Sequence, residues 1–389
     1  MTVPYTAGSF APERPARTRA RVLLIQTQAE NAGAQEVSRM LAGALGARGH
    51  EVRQLFFFRR TDAFDADPTA AFCMPRRPSG PLSLMRFLLR LHREIRAFRP
   101  DVVLTFQHYG NLIGAPVARL AGARRVIANQ NSATLTTPAW ARRVDRWLGT
   151  LGAFTRIVVH SADSQAGFAR HPGRYRERLV RIDHAFERKT SALAKADARA
   201  SFGLPPDGVV LGCVARLHPL KRLDAAVRLL ACEPGWTLAL AGQGPAEAEL
   251  REFAASLGCA DRLHLVGELP RARVGDFLAA LDVFVFPSGA ETFGLAVVEA
   301  AQAGVPTVAN DLPVLREVLA VDGEPCALFG RADDTEAFAM AVQRLITDPA
   351  LARALSERGR RLDRRFPLDG MIDAYEALIA ECLSPAARP

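Results

Sequence analysis

The 389-residue sequence lacks long apolar segments, and its cysteines are few and scattered. No run approaches the roughly 18 consecutive apolar residues of a membrane-spanning helix, and the first residues lack the apolar block of a secretory signal peptide. The six cysteines have neither the spacing of metal ligands nor that of a redox pair. We therefore expect a cytoplasmic protein with reduced thiols and no cysteine-based metal or redox site.

Acidic residues are scarce in the first half of the chain. Residues 1–190 contain 30 Lys and Arg against 14 Asp and Glu, a net charge of +16, whereas the remainder contains 20 and 27, a net charge of −7. This asymmetry predicts an anionic partner for the first half. The arginines lack interleaved aromatic residues, a recognition module or a zinc motif, so a nucleic-acid-binding protein is the weakest interpretation.

Length and composition predict two domains, each with its own parallel sheet. A chain that is 49% apolar and 389 residues long can bury two large cores. After an expected flexible tail at residues 1–20, strand and helix patterns alternate in the order of a doubly wound sheet. We predict domains at 21–190 and 195–367, with a final helix at about 368–389 that crosses back onto the first. The expected fold class is α/β, with two Rossmann-like doubly wound domains and a cleft between them.

Two carboxylates eight positions apart, Glu291 and Glu299, follow a predicted buried strand in the second half. That strand, residues 281–286, stops at a proline, and a helix is predicted from Phe293 or Gly294 onward. The first N–H groups of this helix form a seat suited to a diphosphate. Glu291 is then placed to reach a sugar ring, and Glu299 is placed to accept hydrogen bonds from two ribose hydroxyls. On this pair alone, a purely structural interpretation is an equal alternative, in which Glu291 caps the helix and Glu299 is a solvated helix residue.

Two cations, Arg216 and Lys221, follow another apolar β run at residues 209–214. Ligands of such sheets bind at the carboxyl ends of the strands, so we expect both side chains to share an edge with Glu291. Negative charge accumulates on a leaving nucleoside diphosphate, and fixed cations facing a helix N-terminus suit it. Either cation alone would be interpreted as a solvated surface charge. The glycine turn around Gly242 ends the next strand and is unspecific by itself.

These segments together resemble the signature of a known enzyme family. The frame Pro-Ser-x-x-Glu-x-Phe-Gly-Leu-x-x-x-Glu-Ala at residues 287–300 is similar to that of the retaining GT-B glycosyltransferases of group 1, also called family 4. Residues 212–222 resemble the family's Gly-Arg-Leu…Lys-Gly segment, and residues 241–245 resemble its Gly-x-Gly-Pro turn. The likeness covers most of the chain and is most specific between residues 209 and 300.

The resemblance implies transfer of a sugar from a UDP- or GDP-linked donor, with retention at the anomeric carbon. The first domain would then face the acceptor, and the second would bind the donor. The leaving phosphate itself would take the acceptor proton, as is proposed for the family. The expected catalytic residues are Glu291, Arg216, Lys221 and His108, and the expected donor-binding residues are Gly33, Gly242, Phe293, Gly294, Leu295 and Glu299.

The first half departs from the family pattern in three places. Ala32, beside Gly33, stands where the family has one of two paired glycines. His184 replaces the asparagine of the family's Asn-Gly pair, so no role is carried over to His184. His108 is the only histidine in the loop after the strand at 101–106, and it lies two residues later than the sugar-contacting histidine of the family. For His108, a hydrogen-bonded loop residue is an equal alternative.

Amides at residues 129–132, after the next strand, are candidates for binding acceptor hydroxyls. The acceptor class remains open among a glycan, a lipid-linked sugar or glycolipid, and a small molecule. Polysaccharide or glycolipid biosynthesis is therefore the expected setting.

The second half shows no Asp-x-Asp triad at a strand end, and Asp333 lies too late in the pattern to serve as one. Cationic side chains and a helix terminus can replace Mg²⁺ at a diphosphate. We therefore expect no metal ion and no other cofactor.

Residues 76–99 contain seven arginines and one glutamate among apolar residues at helical spacing. Such a helix can lie on anionic lipid at the inner face of the membrane. The other interpretation is a helix that packs on the core and presents its arginines to solvent. Trp140 and Trp147, seven residues apart on another basic helix, are open to the same two interpretations.

An epimerase or hydrolase of GT-B fold that acts on a sugar nucleotide is the main competing function. It would share the fold and the diphosphate site, but it would turn over the donor with no acceptor present.

Overall fold

Two parallel β-sheets follow one another along the chain in the computed structural model, which describes residues 19–133 and 137–384. Most of the predicted tail, and the last five residues of the predicted final helix, lie outside the described residues. Within the described residues, no helix combines the length and the apolarity that crossing a bilayer requires.

The first sheet has seven parallel strands in the spatial order β3-β2-β1-β4-β5-β6-β7. Its strands are β1 (Arg21–Ala29), β2 (Glu51–Arg59), β3 (Ala70–Met74), β4 (Val102–Phe106), β5 (Val126–Asn129), β6 (Arg156–Val159) and β7 (Leu179–Arg181). The central strands β4 and β5 are buried on both faces, which is why they are apolar almost throughout. Helices around this sheet are α1 (Gly33–Ala47), α2 (Pro81–Phe98), α3 (Gln107–Tyr109), α4 (Ala115–Leu120), α5 (Ala139–Thr150), α6 (Ala162–Ala166) and α7 (Gly173–Arg176), with a π turn at Gly110–Gly114.

The second sheet has six parallel strands in the order β10-β9-β8-β11-β12-β15. Its strands are β8 (Val209–Val214), β9 (Trp236–Ala241), β10 (Leu263–Gly267), β11 (Val283–Phe286), β12 (Thr307–Asn310) and β15 (Leu328–Gly330), and a small hairpin pairs β13 (Ala320–Val321) with β14 (Glu324–Pro325). Its helices are α8 (Lys195–Ser201), α9 (Leu223–Cys232), α10 (Glu247–Ser256), α11 (Arg271–Ala279), α12 (Leu295–Gln302), α13 (Pro313–Val318), α14 (Thr335–Thr347), α15 (Pro349–Gly359) and α16 (Leu362–Arg365), with 3₁₀ turns at Pro219–Lys221 and Ala260–Arg262.

The last helix, α17 (Leu368–Leu383), returns to the first sheet. Its apolar face, including Met371, Ile372 and Ile379, joins the core on one face of that sheet. The buried hydroxyl of Tyr375 donates to Oδ1 of Asn129 at 2.6 Å, which fixes the helix to the end of β5. The chain therefore crosses between the two sheets twice.

The carboxyl ends of both sets of strands open onto one cleft between them. This architecture confirms the predicted fold class of two Rossmann-like parallel-sheet units with a cleft. The order of strand, loop and helix also places each predicted site segment at a strand end, as ligand sites of such sheets require.

Candidate active site

The cleft has a volume of about 770 Å³, and loops that follow strands of both sheets line it. Nine of the ten predicted site residues are among its lining residues, namely Gly33, Arg216, Lys221, Gly242, Glu291, Phe293, Gly294, Leu295 and Glu299. The structure therefore brings together, in one cavity, residues from distant parts of the chain.

Lys221 and Glu291 form an ion pair on the side of the second sheet. Lys221 ends the 3₁₀ turn after β8, and its Nζ lies 2.6 Å from Oε1 of Glu291, in the loop after β11. The two loops meet because β8 and β11 are neighbours in the sheet. A charge-assisted bond between largely buried groups fixes the direction of the carboxylate. One oxygen of Glu291 is thereby engaged by a cation, and the other is left to accept hydrogen bonds.

Arg216 reaches across the cleft toward a carboxylate of the first sheet. Its Nη1 lies 3.7 Å from Oε1 of Glu30, a residue that follows β1. Glu30 is 6% exposed and also pairs with Arg60 at 3.2 Å. Because the guanidinium of Arg216 is less buried than Lys221, it is free to turn toward an anion that enters the cleft.

Gly242 supports the loop that carries Arg216. Its φ is +143°, and a Cβ at this position would lie 1.9 Å from the carbonyl oxygen of Ala215. Only glycine permits this close approach of the two loops. Gly242 therefore sets the position of Arg216, in addition to lining the cleft.

Helix α12 points its N-terminus into the cleft. Gly294 precedes the helix with φ +85°, a conformation that favours glycine, and the helix begins at Leu295. The first N–H groups of a helix have no partners within it and carry partial positive charge. Gly33 of the first sheet approaches this helix start so closely that a Cβ there would lie 3.3 Å from Cδ1 of Leu295. The geometry suits a phosphate held by backbone amides.

Glu299 lies one turn further along α12 and pairs with Lys189, whose Nζ is 3.3 Å from its Oε1. Burial raises the pKa of Glu299 to about 7; Lys189 opposes this shift and Glu36 adds to it. A carboxyl group with this pKa is poised between its two protonation states near neutral pH.

A further ionic contact joins the two sheets beside Glu299. Arg271, at the start of α11, places its Nε 2.9 Å from Oε1 of Glu36 on α1 and also pairs with Glu187 in the connecting segment. Both Glu36 and Arg271 line the cleft. The wall of the cleft beside Glu299 is therefore shared between the two halves of the chain.

The structure does not bring His108 into this group. His108 lies on α3 with its Nδ1 3.3 Å from Oγ of Ser132, and burial lowers its pKa. The preceding residue, Gln107, has φ +61° and lines the cleft in its place. This turn of the backbone explains why the loop presents an amide, and not the imidazole, to the cavity.

Several lining residues escaped the sequence analysis. Lys189 had a usable signal, because the chain contains only three lysines, Lys189, Lys195 and Lys221, and two of them line the cleft. Glu30, Glu36 and Arg271 gave no such signal in a sequence rich in Arg and Glu. Asn131 and His184 also line the cleft, because each follows a strand of the first sheet. Asn131 belongs to the amides that the sequence suggested for acceptor binding, whereas His184 had been given no role.

Comparison with known proteins agrees with this geometry. Residues 194–362 match the family described as "Glycosyl transferases group 1", and residues 32–187 match "Glycosyltransferase Family 4". Together the two matches cover nearly all of both sheets. The chain therefore belongs to the group 1 glycosyltransferases of family 4.

Two curated relatives come from Rhizobium meliloti. The lipopolysaccharide core biosynthesis mannosyltransferase LpsB is 34% identical over 48% of this chain and 56% of its own length. The lipopolysaccharide core biosynthesis glycosyltransferase LpsD is 29% identical over 88% of this chain and 93% of its own length. The chain thus covers less than two thirds of LpsB and most of LpsD.

Among solved structures, Anabaena Alr3699/HepE in complex with UDP and glucose superimposes with a TM-score of 0.81. The match covers 93% of this chain and all of that one at 19% sequence identity. At this identity the likeness shows the shared GT-B fold.

Proposed function

We propose that this protein transfers a hexose from a nucleoside diphosphate sugar to a glycan-type acceptor, with retention of the anomeric configuration. The observation that carries the proposal is the convergence of Arg216, Lys221 and the start of α12 beside Glu291 and Glu299 in one cleft. The diphosphate would lie against the two cations and the amide of Leu295. Glu291 would then orient the sugar, and Glu299 the ribose.

Stabilisation of the leaving diphosphate is the main chemical contribution of this site. Negative charge grows on the diphosphate as the glycosidic bond lengthens, and preorganised cations and amides stabilise that charge without reorganisation. Protein groups supply the positive charge in this arrangement, so we propose that no metal ion is required.

Retention fits the state of Glu291. Its carboxylate is held by Lys221 at 2.6 Å, so it is not a free nucleophile. Because pairing with Lys221 disfavours a covalent glycosyl-enzyme intermediate on Glu291, we propose that retention results from attack of the acceptor on the face from which the phosphate departs. The departing phosphate would take the acceptor proton.

The nucleotide base and the sugar of the donor have to be inferred separately for this site. HepE was solved with UDP and glucose, whereas LpsB is named a mannosyltransferase. We propose a UDP- or GDP-linked hexose as donor. The names of LpsB and LpsD support a lipid-linked acceptor of lipopolysaccharide core type, with a soluble glycan or small molecule as the other outcome of the test.

A two-stage experiment tests the proposal. Thermal shift with UDP, GDP and ADP sugars identifies the donor, and mass spectrometry then detects the glycosylated product of each candidate acceptor. We expect a shift with one base only and a product in which the anomeric configuration of the donor is retained. Rapid conversion of the donor with no acceptor present would instead establish the epimerase or hydrolase, and no shift with any donor would contradict the proposal.

Exposed side chains on the helices around the first sheet support a contact with anionic membrane through residues 76–99. Helix α2 buries Phe87, Leu91 and Ile95, which pack in the core of the first sheet. Its first turns nevertheless expose Leu82 by 68% and Leu89 by 59%, next to exposed arginines. Apolar side chains flanked by arginines match the surface of an anionic bilayer.

Other elements of the same half expose apolar groups too. On α5, Trp140 and Trp147 are 54% and 72% exposed, and α4, which packs against α2, ends at the exposed Leu120. Tryptophan favours the interface between lipid and water. We therefore propose that the protein docks peripherally on anionic lipid, which would bring a lipid-linked acceptor to the cleft.

Vesicle sedimentation tests this contact. We expect binding to vesicles that contain anionic lipid, weaker binding in high salt, and loss of binding in Leu89→Glu. Leu257→Glu, an exposed leucine near the end of α10 in the second half, is the matched control and should bind normally. Equal binding by the two variants, or no binding by the unmodified protein, would contradict the membrane contact without affecting the proposed reaction.

A further inference from the structure

Three polar side chains meet at the carboxyl edge of the first sheet, facing the loop that carries Glu291. Asn131 follows β5, His160 follows β6 and His184 follows β7, so three neighbouring strands deliver them to one place. Asn131 and His184 line the cleft, and His160 lies behind them, fully buried. The imidazole rings of His160 and His184 stack with centroids 3.7 Å apart.

The hydrogen bonds of this cluster define where its protons lie. His160 Nδ1 is 3.0 Å from the carbonyl oxygen of Ile182, so Nδ1 carries the hydrogen and donates it. Burial lowers the pKa of His160 to about 4, so its Nε2 is an unprotonated acceptor at neutral pH. The amide nitrogen of Asn131 lies 3.1 Å from that Nε2 and donates to it. The network therefore assigns the orientation of the Asn131 amide.

The same amide nitrogen lies 3.3 Å from Nε2 of His184 and donates its second hydrogen there. Burial, with a contribution from His160, lowers the pKa of His184 well below its ordinary value, so this ring is neutral too. A neutral ring that accepts at Nε2 carries its hydrogen on Nδ1.

Two polar atoms are left over. His184 Nδ1, a donor, and Asn131 Oδ1, an acceptor, are both buried and have no hydrogen-bond partner among the described residues. Native proteins seldom leave such atoms unsatisfied, because a buried polar atom without a partner has lost its hydrogen bonds to water and gained none in return. A hydroxyl group both accepts and donates, so a sugar hydroxyl can satisfy atoms of both kinds.

The position of the cluster indicates which hydroxyl. The ring of His184 packs edge-on against Phe293, with centroids 5.5 Å apart. The carbonyl oxygen of Thr292 accepts hydrogen bonds from Ser161 Oγ at 3.1 Å and from Ser164 Oγ at 3.4 Å. These contacts hold the cluster directly against the loop of Glu291, the residue proposed to orient the transferred sugar.

We propose that Asn131 and His184 bind hydroxyls of the transferred sugar and so determine which sugar is accepted, with His160 as the positioning residue that orients the amide of Asn131. This inference rests on the proposed glycosyl transfer. It assigns the sugar to the uncharged cluster of Asn131 and His184, and the diphosphate to the cations of the second sheet.

Two variants that preserve shape test the assignment. His184→Phe keeps a ring that stacks on His160 and contacts Phe293, but removes both ring nitrogens. Asn131→Leu keeps the size of the side chain and removes both amide groups. His171→Phe is the matched control, because His171 also packs against aromatic rings, those of Phe168 and Tyr175, and does not line the cleft.

The readouts are the Kd for the nucleoside diphosphate alone, kcat/KM for the donor sugar, and kcat/KM for its monodeoxy analogues. We expect both cleft variants to bind the diphosphate normally and to lose roughly tenfold or more in kcat/KM for the full sugar. We also expect them to lose the discrimination against one deoxy position that the unmodified protein shows. His171→Phe should retain the full kcat/KM and the full discrimination.

The melting temperature separates binding from a merely structural role. His184→Phe removes an unsatisfied buried donor, Nδ1, and also Nε2, which accepts from Asn131. Because these two changes oppose each other, we expect only a small change in melting temperature. Unchanged discrimination in both folded variants, or loss of folding in both, would overturn the assignment while the unmodified enzyme remains active. If the unmodified protein turns over no nucleotide sugar at all, the proposed function itself fails, and the inference fails with it.

Discussion

The two sheets of this protein are built alike, yet they bring different side chains to the cleft. Among the described lining residues, the second sheet and its helices contribute three cations, Arg216, Lys221 and Arg271. The first half of the chain contributes two, Arg60 and Lys189, together with neutral groups such as those of Asn131 and His184. One side of the cleft is therefore equipped for a diphosphate, and the other for hydroxyl groups.

The distribution of total charge runs the opposite way. Residues 1–190 carry a net charge of +16, and the remainder carries −7. Much of the excess positive charge of the first half lies on outer helices such as α2, away from the cleft. Net charge thus indicates what the outside of a domain meets, whereas the cations that serve a buried ligand are few and are placed by strand ends.

The largest effect is expected from removing the cation of the second sheet that pairs with Glu291. Lys221→Ala should lower kcat/KM by about 10²–10³-fold, because the leaving diphosphate loses a preorganised cation and Glu291 is left unpaired. It should also weaken binding of the nucleoside diphosphate, as Arg216→Ala should. Steady-state kinetics and titration calorimetry provide the two measurements.

Lys195→Ala is the control for that variant. Lys195 also forms an ion pair, with Asp282 at 2.8 Å, but it is half exposed and does not line the cleft. Exposed pairs contribute little, so we expect a change of less than about twofold. Equal losses in the two lysine variants would remove the special role assigned to the second sheet.

A smaller effect, confined to turnover, is expected from Glu291→Gln. The glutamine keeps the shape of the side chain but loses the negative charge that strengthens hydrogen bonds from the sugar hydroxyls, so kcat should fall by about 10²-fold. Affinity for the nucleoside diphosphate should be unchanged or tighter, because Lys221 no longer has an internal partner. A parallel loss of kcat and diphosphate affinity would place Glu291 at the diphosphate instead of the sugar.

A pH effect follows from Glu299. Its pKa is raised from 4.5 to about 7, so the carboxylate that accepts ribose hydroxyls is fully formed only above neutrality. We expect affinity for UDP or GDP to increase by up to about tenfold between pH 6 and pH 8. In Glu299→Gln this part of the pH dependence should disappear. Subtracting the pH profile of the variant from that of the unmodified protein removes the titration of the nucleotide itself.

The same shift affects stability in the unliganded protein. The folded state holds the proton of Glu299 more tightly than the unfolded chain does. The contribution of this group to the free energy of unfolding is therefore fully present below about pH 4.5 and is lost as the pH rises through 7. A chemical-denaturation series should show a shallower decline over this range in Glu299→Gln, and an identical decline would contradict the assignment.

The smallest effect is expected from removing metal ions. Because cations of the second sheet and the start of α12 would neutralise the diphosphate, activity in excess EDTA should equal activity without it. Complete loss of activity, restored by Mg²⁺, would show that these side chains do not suffice.

Much of the fold was predictable from local pattern. The buried strands β8 (Val209–Val214) and β11 (Val283–Phe286) are short apolar runs bounded by turn residues, although β11 begins two residues later than predicted. The alternation of such runs with helices along the chain is typical of doubly wound sheets. The predicted cations and carboxylates were found together in the cleft because each follows a strand of the same sheet. Strand ends are local features, and the edge of a parallel sheet brings them together.

The remaining features depend on contacts between distant segments or on single backbone angles. The pairs Lys189 with Glu299 and Glu36 with Arg271 join different units of the chain, and no local pattern predicts them. Whether Gln107 or His108 faces the cleft depends on a φ of +61° at Gln107, which a non-glycine residue adopts only when its surroundings require it. The left-over atoms of Asn131 and His184 become visible only once the hydrogen-bond network is known.

A crystal structure of the protein with UDP or GDP bound tests the central claim most directly. We predict that the terminal phosphate lies on the amides at Gly294 and Leu295, between Arg216 and Lys221, with the ribose on Glu299. The side of the cleft formed by Asn131 and His184 should stay free for the sugar. A nucleotide bound outside this cleft, or bound in it with its phosphates on the first sheet, would contradict the account.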